Sequence, residues 1–154
     1  MLQTIAAGPG DQSFLCTLYC STRQDEVGAW GWDAAAAQAF LQMQWRAQSA
    51  AYASQYPGAE HRIILVDGQQ AGRLLVHQTE EAVRLVDIAL LPAFRGQGVG
   101  VQLLGELQAE AAAAGKPVRL SVFRGSPARR LYKRLGFQPA GGNEVYEQME
   151  WRPV

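Results

Sequence analysis

Apolar positions along this chain follow two spacings, one near two residues and one near 3.6, which mark strands and helices respectively. Leu2–Ala7 reads as a short first strand. Pro9 and Asp11 suit the start of a helix carrying Phe14, Leu15 and Leu18. Asp33 is placed as the N-cap of a second helix running towards Tyr56, with Phe40, Leu41, Met43 and Trp45 among its apolar positions and Pro57-Gly58 as its breaker. The runs Arg62–Asp67 and Gly72–His77 flank the turn signal Asp67-Gly68 and predict a hairpin. Arg84–Leu91 makes a further strand, ending at Pro92.

The second half of the chain is equally patterned. Gly98–Ala114 carries Val99, Leu103, Leu104, Leu107 and Ala111 at helical spacing, with Gly115 as the residue after the cap and Pro117 beyond it. Val118–Phe123 is a strand, and Pro127–Leu135 is a helix that closes at Gly136. Phe137–Pro139 and Val145–Trp151 complete the order β-α-α-β-β-β-α-β-α-β-β. That order predicts an α/β fold, a mixed sheet flanked by helices, in a single domain over residues 1–154.

Composition narrows the class. The chain is 48% hydrophobic, enough for a real core, and its 14 basic residues balance 14 acidic ones. No global field therefore draws it to nucleic acid or to a membrane. No apolar run reaches the roughly 18 residues of a membrane span, and the N-terminus lacks signal-peptide character. Cys16 and Cys20 stand four apart and read as two reduced, partly buried thiols. The expectation is a soluble cytoplasmic protein. No Cys, His or carboxylate cluster has metal-ligand spacing, and His61 and His77 read as structural, so no metal is expected.

The candidate chemistry starts at Arg95-Gly96-Gln97-Gly98-Val99-Gly100, between a strand and a helix. Glycines let backbone approach a ligand closely, and the first amides of a helix lack intrahelical partners and carry partial positive charge. Such a turn suits a pyrophosphate, and Arg95 adds a cation. A dinucleotide fingerprint would need glycine where Val101 stands. A Walker A turn would need Lys and then Ser or Thr where Val101-Gln102 stands. The alternative is a tight connection whose glycines serve packing alone.

A second motif follows the next strand: Ala128-Arg129-Arg130-Leu131-Tyr132-Lys133-Arg134-Leu135-Gly136-Phe137. Arg95, Gly98 and Gly100, followed by Ala128, Leu131, Tyr132, Gly136 and Phe137, resemble the two motifs of the GNAT superfamily of acetyl-CoA-dependent N-acetyltransferases. The strict resemblance covers roughly Arg84–Phe137, and the earlier element order agrees. It implies a mostly antiparallel sheet whose fourth and fifth strands splay apart. It further implies coenzyme A as cofactor. Backbone at Ile88, Ala89 and Leu90 would take the pantetheine arm like an added strand, and amides from Gly96, Gln97, Gly98, Val99 and Gly100 to Val101 would take the pyrophosphate. Gly125, Ser126, Ala128 and Tyr132 would also border the cofactor. The family often has Asn where this chain has Gly125, and Ser126 or a water would then have to replace its contact.

By the same resemblance the reaction is direct transfer of an acetyl group to a primary amine of a small molecule or peptide. A backbone amide near Leu90 would stabilise charge on the carbonyl oxygen, and Tyr132 would be the proton donor. For Tyr132 the alternative is packing on the sheet. Asp87 interrupts an apolar strand and is either the base or the partner of an arginine such as Arg84 or Arg119. Glu26, Trp30 and Trp32 lie between the first two helices, where they would receive a cationic amine. Trp32 equally suits a hydrophobic staple before Asp33. The basic stretch Arg129–Arg134, with Arg124, either meets the cofactor's 3′-phosphate or forms a solvated helix face. A non-catalytic acyl-CoA sensor is the competing function. A homodimer, with Trp151 on the last strand at its interface, is a further possibility.

Overall fold

A computed structural model describes residues 1–154, the side chain of Asp25 excepted. The strands are β1 (Leu2–Ala6), β2 (Glu60–Val66), β3 (Gln69–Gln78), β4 (Val83–Leu90), β5 (Val118–Phe123), β6 (Gln138–Gly142) and β7 (Tyr146–Trp151). The helices are α1 (Gln12–Gly28), α2 (Ala34–Gln55), α3 (Val99–Ala113) and α4 (Ala128–Arg134). Short 3-10 turns at Pro9–Asp11 and Pro92–Phe94 precede α1 and the glycine-rich turn. The element order is the one the periodicity predicts. The boundaries move by a few residues, because end residues such as Leu91 and Phe137 enter turns rather than ladders.

The strands form one seven-stranded sheet in the order β1-β2-β3-β4-β5-β7-β6. β1 pairs antiparallel with β2, β5 with β7, and β6 with β7. β4 and β5 pair in parallel over Val83–Leu85 and Val118–Leu120. β5 runs on through Ser121–Phe123 beyond that register, so the two strands part, as the resemblance implies.

By backbone proximity the chain divides into two compact units. The first comprises Met1–Leu74 and Ile88–Arg95. Its buried residues include Leu15 and Leu18 of α1, Leu41 of α2, and Ile63 and Ile64 of β2. Asp11 fixes the entry to α1: its carboxylate accepts from the Gly8 amide at 2.8 Å and from Gln70 Nε2 at 3.1 Å. Asp33 caps α2 as expected, accepting from the Ala36 amide at 2.7 Å. The hairpin turn has Asp67 and Gly68 both at positive φ, 51° and 80°, as a two-residue turn of this kind requires.

The second unit comprises Leu75–Asp87 and Gly96–Val154. Val99, Leu103, Leu104, Leu107 and Ala111 are the buried face of α3. They join a core with Val83, Val118, Leu120, Phe137 and Met149. Gly115, at φ 67°, ends α3, and the Lys116 amide reaches back to the Ala111 carbonyl at 2.9 Å. β7 lies inside the sheet and β6 forms the edge, so Trp151 is not on an edge strand. It packs beside Gly136, where an added Cβ would come within 3.2 Å of the indole.

Candidate active site

The first unit holds the end of β4. Gly72 on β3 is buried, and a Cβ there would lie 2.0 Å from the Ala89 carbonyl oxygen and 3.0 Å from Leu90 Cα. Only a glycine allows that approach, so Gly72 shapes the backbone of Ala89 and Leu90. Two further contacts hold this strand end. The Leu91 amide donates to the Ala71 carbonyl at 2.8 Å, and Arg95 Nε donates to the Leu90 carbonyl at 2.9 Å. Arg95 thus braces the strand end as well as supplying charge. Neither Gly72 nor this bracing is visible in the periodicity, since both depend on tertiary approach.

The same unit holds the expected acceptor residues: Trp30 and Trp32 lie between the first two helices, whereas Glu26 belongs to the last turn of α1, which runs on to Gly28. Trp30 and Trp32 are about half exposed, and both meet Phe40 of α2, at ring-centroid distances of 5.5 and 5.3 Å. Trp32 therefore does pack on α2 from just before its cap, but one turn further along than a staple contact. Glu26 accepts from Arg23 Nε at 2.7 Å, and Arg23 also donates to the Tyr19 hydroxyl at 2.8 Å. The Glu26 carboxylate is thus already shared with a cation. Cys16 and Cys20 are free, half-buried thiols, and burial together with the neighbouring Cys16 pushes the Cys20 thiol up.

The second unit holds the glycine-rich turn. Gly96 and Gly98 have φ of 73° and 80°, a left-handed conformation that disfavours any side chain. Gly98 is the N-cap of α3 and Val99 its first residue. Val99 is buried and anchors the helix, while Val101 is 43% exposed. Gly100 is different from the other two: it is helical, and no atom lies within 4 Å of the position its Cβ would take. Nothing inside the protein requires a glycine there. Exposed glycines that carry no side chain of their own, at the entry to a helix whose first amides lack intrahelical partners, suit an anionic group.

Tyr132 lies in the same unit, on the buried face of α4, with 8% of its surface exposed. The end of the helix fixes it. Gly136 turns the chain at φ 95°, its amide donating to the Lys133 carbonyl at 3.1 Å. The Phe137 amide reaches the Tyr132 carbonyl at 3.0 Å. The two rings then meet edge to face at 5.7 Å. This is a Schellman cap with its hydrophobic contact, which gives the Leu-Tyr and Gly-Phe pairs of the motif a physical reason. Burial raises the Tyr132 phenol above its ordinary value, and the Asp87 carboxylate raises it further. Tyr132 and Asp87 are therefore electrostatic neighbours, and the phenol stays protonated at neutral pH. Of the arginines considered as partners for Asp87, Arg119 pairs with Glu150 at 2.8 Å.

The connection from β5 to α4 carries Gly125 and Ser126. A Cβ at Gly125 would come within 2.8 Å of the Phe123 ring, so a larger residue would displace that ring. Phe123 is 53% exposed and its ring can swing aside, so this contact alone does not require glycine where the family often has Asn. The Ser126 amide donates to the Phe123 carbonyl at 2.9 Å, and its hydroxyl accepts from the Ala128 amide at 3.2 Å. Glu147 of β7, overlooked in the sequence, is buried beneath this connection. It accepts from Arg124 Nη1 at 3.0 Å and from Arg129 Nη2 at 3.1 Å. Among the described residues, no group of three or more His, Cys, Asp or Glu side chains comes together, and no helix is long and apolar enough to cross a membrane.

The chain resembles known proteins in sequence and in fold. A protein of Bacillus subtilis (strain 168), provisionally named ribosomal protein bS18-alanine N-acetyltransferase, is 32% identical over 93 residues. That match spans 58% of this chain and 61% of the relative's length. The PaiA N-acetyltransferase of Thermoplasma acidophilum, solved in complex with coenzyme A, superposes with a TM-score of 0.72 at 15% identity, covering 99% of both chains. The ribosomal-protein-S18-alanine N-acetyltransferase of Escherichia coli superposes at 0.67 with 18% identity, over 99% of this chain and 94% of that one. These two likenesses concern the fold. The family model described as an acetyltransferase (GNAT) domain matches residues 57–139, more than half of the chain, and the chain belongs to the GNAT acetyltransferase family.

Proposed function

We propose that this protein is an N-acetyltransferase that moves an acetyl group from acetyl-CoA directly to a primary amine, with a peptide or protein amine as the favoured acceptor. The observation that carries the reading is the open glycine turn entering α3. Gly96 and Gly98 are left-handed, and Gly100 is a glycine that the protein's own packing does not need. A coenzyme A pyrophosphate fits that cradle, with amides from Gly96 to Val101 as donors and Arg95 as a nearby cation. The backbone of Ile88, Ala89 and Leu90, shaped by Gly72, would receive the pantetheine arm by strand-like hydrogen bonds. Ser126 and Ala128 would border it past Gly125.

Acetyl-CoA supplies an activated acyl group as its thioester. The chain's own part is to orient it, to stabilise charge near Leu90, and to manage two protons. Tyr132 holds its proton firmly at neutral pH and delivers it to the departing sulfur. Asp87, beside it, is the proposed acceptor of the amine's proton. The half-exposed rings of Trp30 and Trp32 form an apolar wall for the acceptor, and Glu26 offers a carboxylate shared with Arg23. The preference for a peptide acceptor rests on the two relatives named for acetylating a ribosomal protein alanine.

The test is thiol release from acetyl-CoA in the presence of small amines and of short peptides with a free N-terminal alanine. Turnover with the peptides supports the reading. Binding of coenzyme A without turnover on any amine would favour a sensor, and absence of binding would remove the reading altogether.

A further inference from the structure

The middle of β3 is buried from Ala71 to Val76, and Arg73 stands inside that run at 6% exposure. A strand buried on both faces is normally apolar throughout, so a guanidinium here breaks the pattern. It reaches α2. Arg73 Nη2 donates to Gln48 Oε1 at 3.0 Å, and the guanidinium carbon lies 5.9 Å from the Tyr52 ring centroid. Gln48 and Tyr52 are four residues apart, so one face of the helix presents both. α2 contains no Asp or Glu, and what it offers the cation is an amide oxygen and a π face.

Taking a cation out of water is costly, and an apolar side chain of similar size is cheaper to bury. What the guanidinium adds is direction. Its planar fork meets an acceptor at its edge and a ring at its face, which fixes both the position and the rotation of the helix. α2 has few other fixed points. It is 22 residues long, and Leu41 is its one buried side chain among the described residues. Gln48 lies about two turns beyond Leu41, so the arginine contact gives the rod a second point of attachment.

The neighbours of these contacts give that attachment a use. Gly72, next to Arg73 on β3, takes the close approach of Ala89 and Leu90. The other end of α2 carries the Asp33 cap and Phe40, on which Trp30 and Trp32 pack. Consecutive residues of β3 thus fix the end of β4 and the helix that bears the aromatic wall, all within the first unit. We infer that Arg73 is a positioning residue for the acceptor: it holds α2 in the pose that sets the Trp30 and Trp32 wall against the strand end at Leu90, and so governs which amines are accepted. This rests on the acetyltransferase reading above.

The experiment uses Arg73→Met and Arg73→Lys in the full chain. Arg73→Met should keep the parent's denaturant midpoint or exceed it, because methionine fills similar space without a charge. The KM for a peptide with a free N-terminal amine should nevertheless rise about tenfold, with the KM for acetyl-CoA unchanged. Discrimination between peptides and small amines should narrow as well. Arg73→Lys retains the charge without the fork and should behave like the methionine variant. Gln48→Met removes the acceptor from the helix side, should shift the peptide KM in the same direction, and serves where the strand variants fold poorly. Fluorine NMR of protein labelled with 5-fluorotryptophan gives a readout independent of turnover. The Trp30 and Trp32 signals should move or broaden in all three variants, while that of Trp151, in the second unit, stays in place. Unmoved Trp30 and Trp32 signals would overturn the attachment. Moved signals with an unchanged peptide KM would overturn its role in acceptance, as would equal changes in both KM values or full rescue by lysine. Failure of the unmodified protein to acetylate any amine would count against the acetyltransferase reading itself, and the fluorine signals would still decide whether Arg73 holds α2.

Discussion

The backbone of Ala89 passes so close to Gly72 that a Cβ on the glycine would sit 2.0 Å from the Ala89 carbonyl oxygen. The contacting atom is backbone, so it cannot swing aside as a side chain would. Gly72→Ala must therefore push β4 away at Ala89 and Leu90. The expected cost is about 1–3 kcal/mol in a denaturant titration. Turnover should fall further than that loss explains at temperatures where the variant is folded. A variant as active and stable as the parent would show that this approach is unimportant.

Gly100→Ala separates packing from ligand binding. Position 100 is helical with free space around it, so alanine should leave stability unchanged or raise it by up to about 1 kcal/mol. Affinity for coenzyme A should nevertheless fall by about tenfold, because the methyl group would stand where the proposed ligand approaches. Calorimetry on a variant shown to be fully folded by thermal melting reads both effects.

Tyr132→Phe keeps the ring and its contact with Phe137 but removes the proton. The expectation is a loss of about a hundredfold in kcat with unchanged coenzyme A affinity. The same phenol makes a pH prediction. Its folded pKa is raised above the ordinary value of about 10. The stability it contributes is thus complete below pH about 10 and is lost as pH rises through the higher folded value. Between those limits the phenylalanine variant should lose less stability with rising pH than the parent does, as followed by denaturation at a series of alkaline pH values.

Glu147→Gln keeps the shape of the clamp on Arg124 and Arg129 and removes its charge. Arg124 and Arg129 are partly exposed and can recover some hydration, so the expected loss is about 1–3 kcal/mol, below the full cost of breaking a deeply buried pair. The denaturant midpoint should drop with an unchanged slope. A midpoint equal to the parent's would mean the clamp contributes nothing to stability.

How much of this was legible in the sequence depends on distance along the chain. α3 could be read because Val99, Leu103, Leu104, Leu107 and Ala111 repeat at one helical face, and Gly115 ends it by a local conformational rule. The Asp67-Gly68 turn and the Asp33 cap are local in the same sense. Gly72 was not legible, because its requirement comes from a strand some seventeen residues on. Glu147 left a usable signal: it stands two residues before Met149, so strand alternation puts both on one face, and both are buried. A carboxylate on a buried face asks for cations, and the stretch from Arg124 to Arg129 supplies them. What the pattern could not say is which arginines would answer.

The strand order also bears on how the chain is made. β6 comes before β7 in sequence, yet it joins the sheet only through β7, which lies between it and β5. A growing chain that has delivered α4 and β6 thus has no ladder for β6 to join until Tyr146–Trp151 follows. Glu147 arrives in that same stretch, and so does the indole of Trp151 that covers Gly136 behind Tyr132. Until those residues emerge, the arginines at 124 and 129 lack their counter-charge and the second unit stays unfinished. Its assembly therefore waits on β7, the strand that carries both the counter-charge and the ladder for β6.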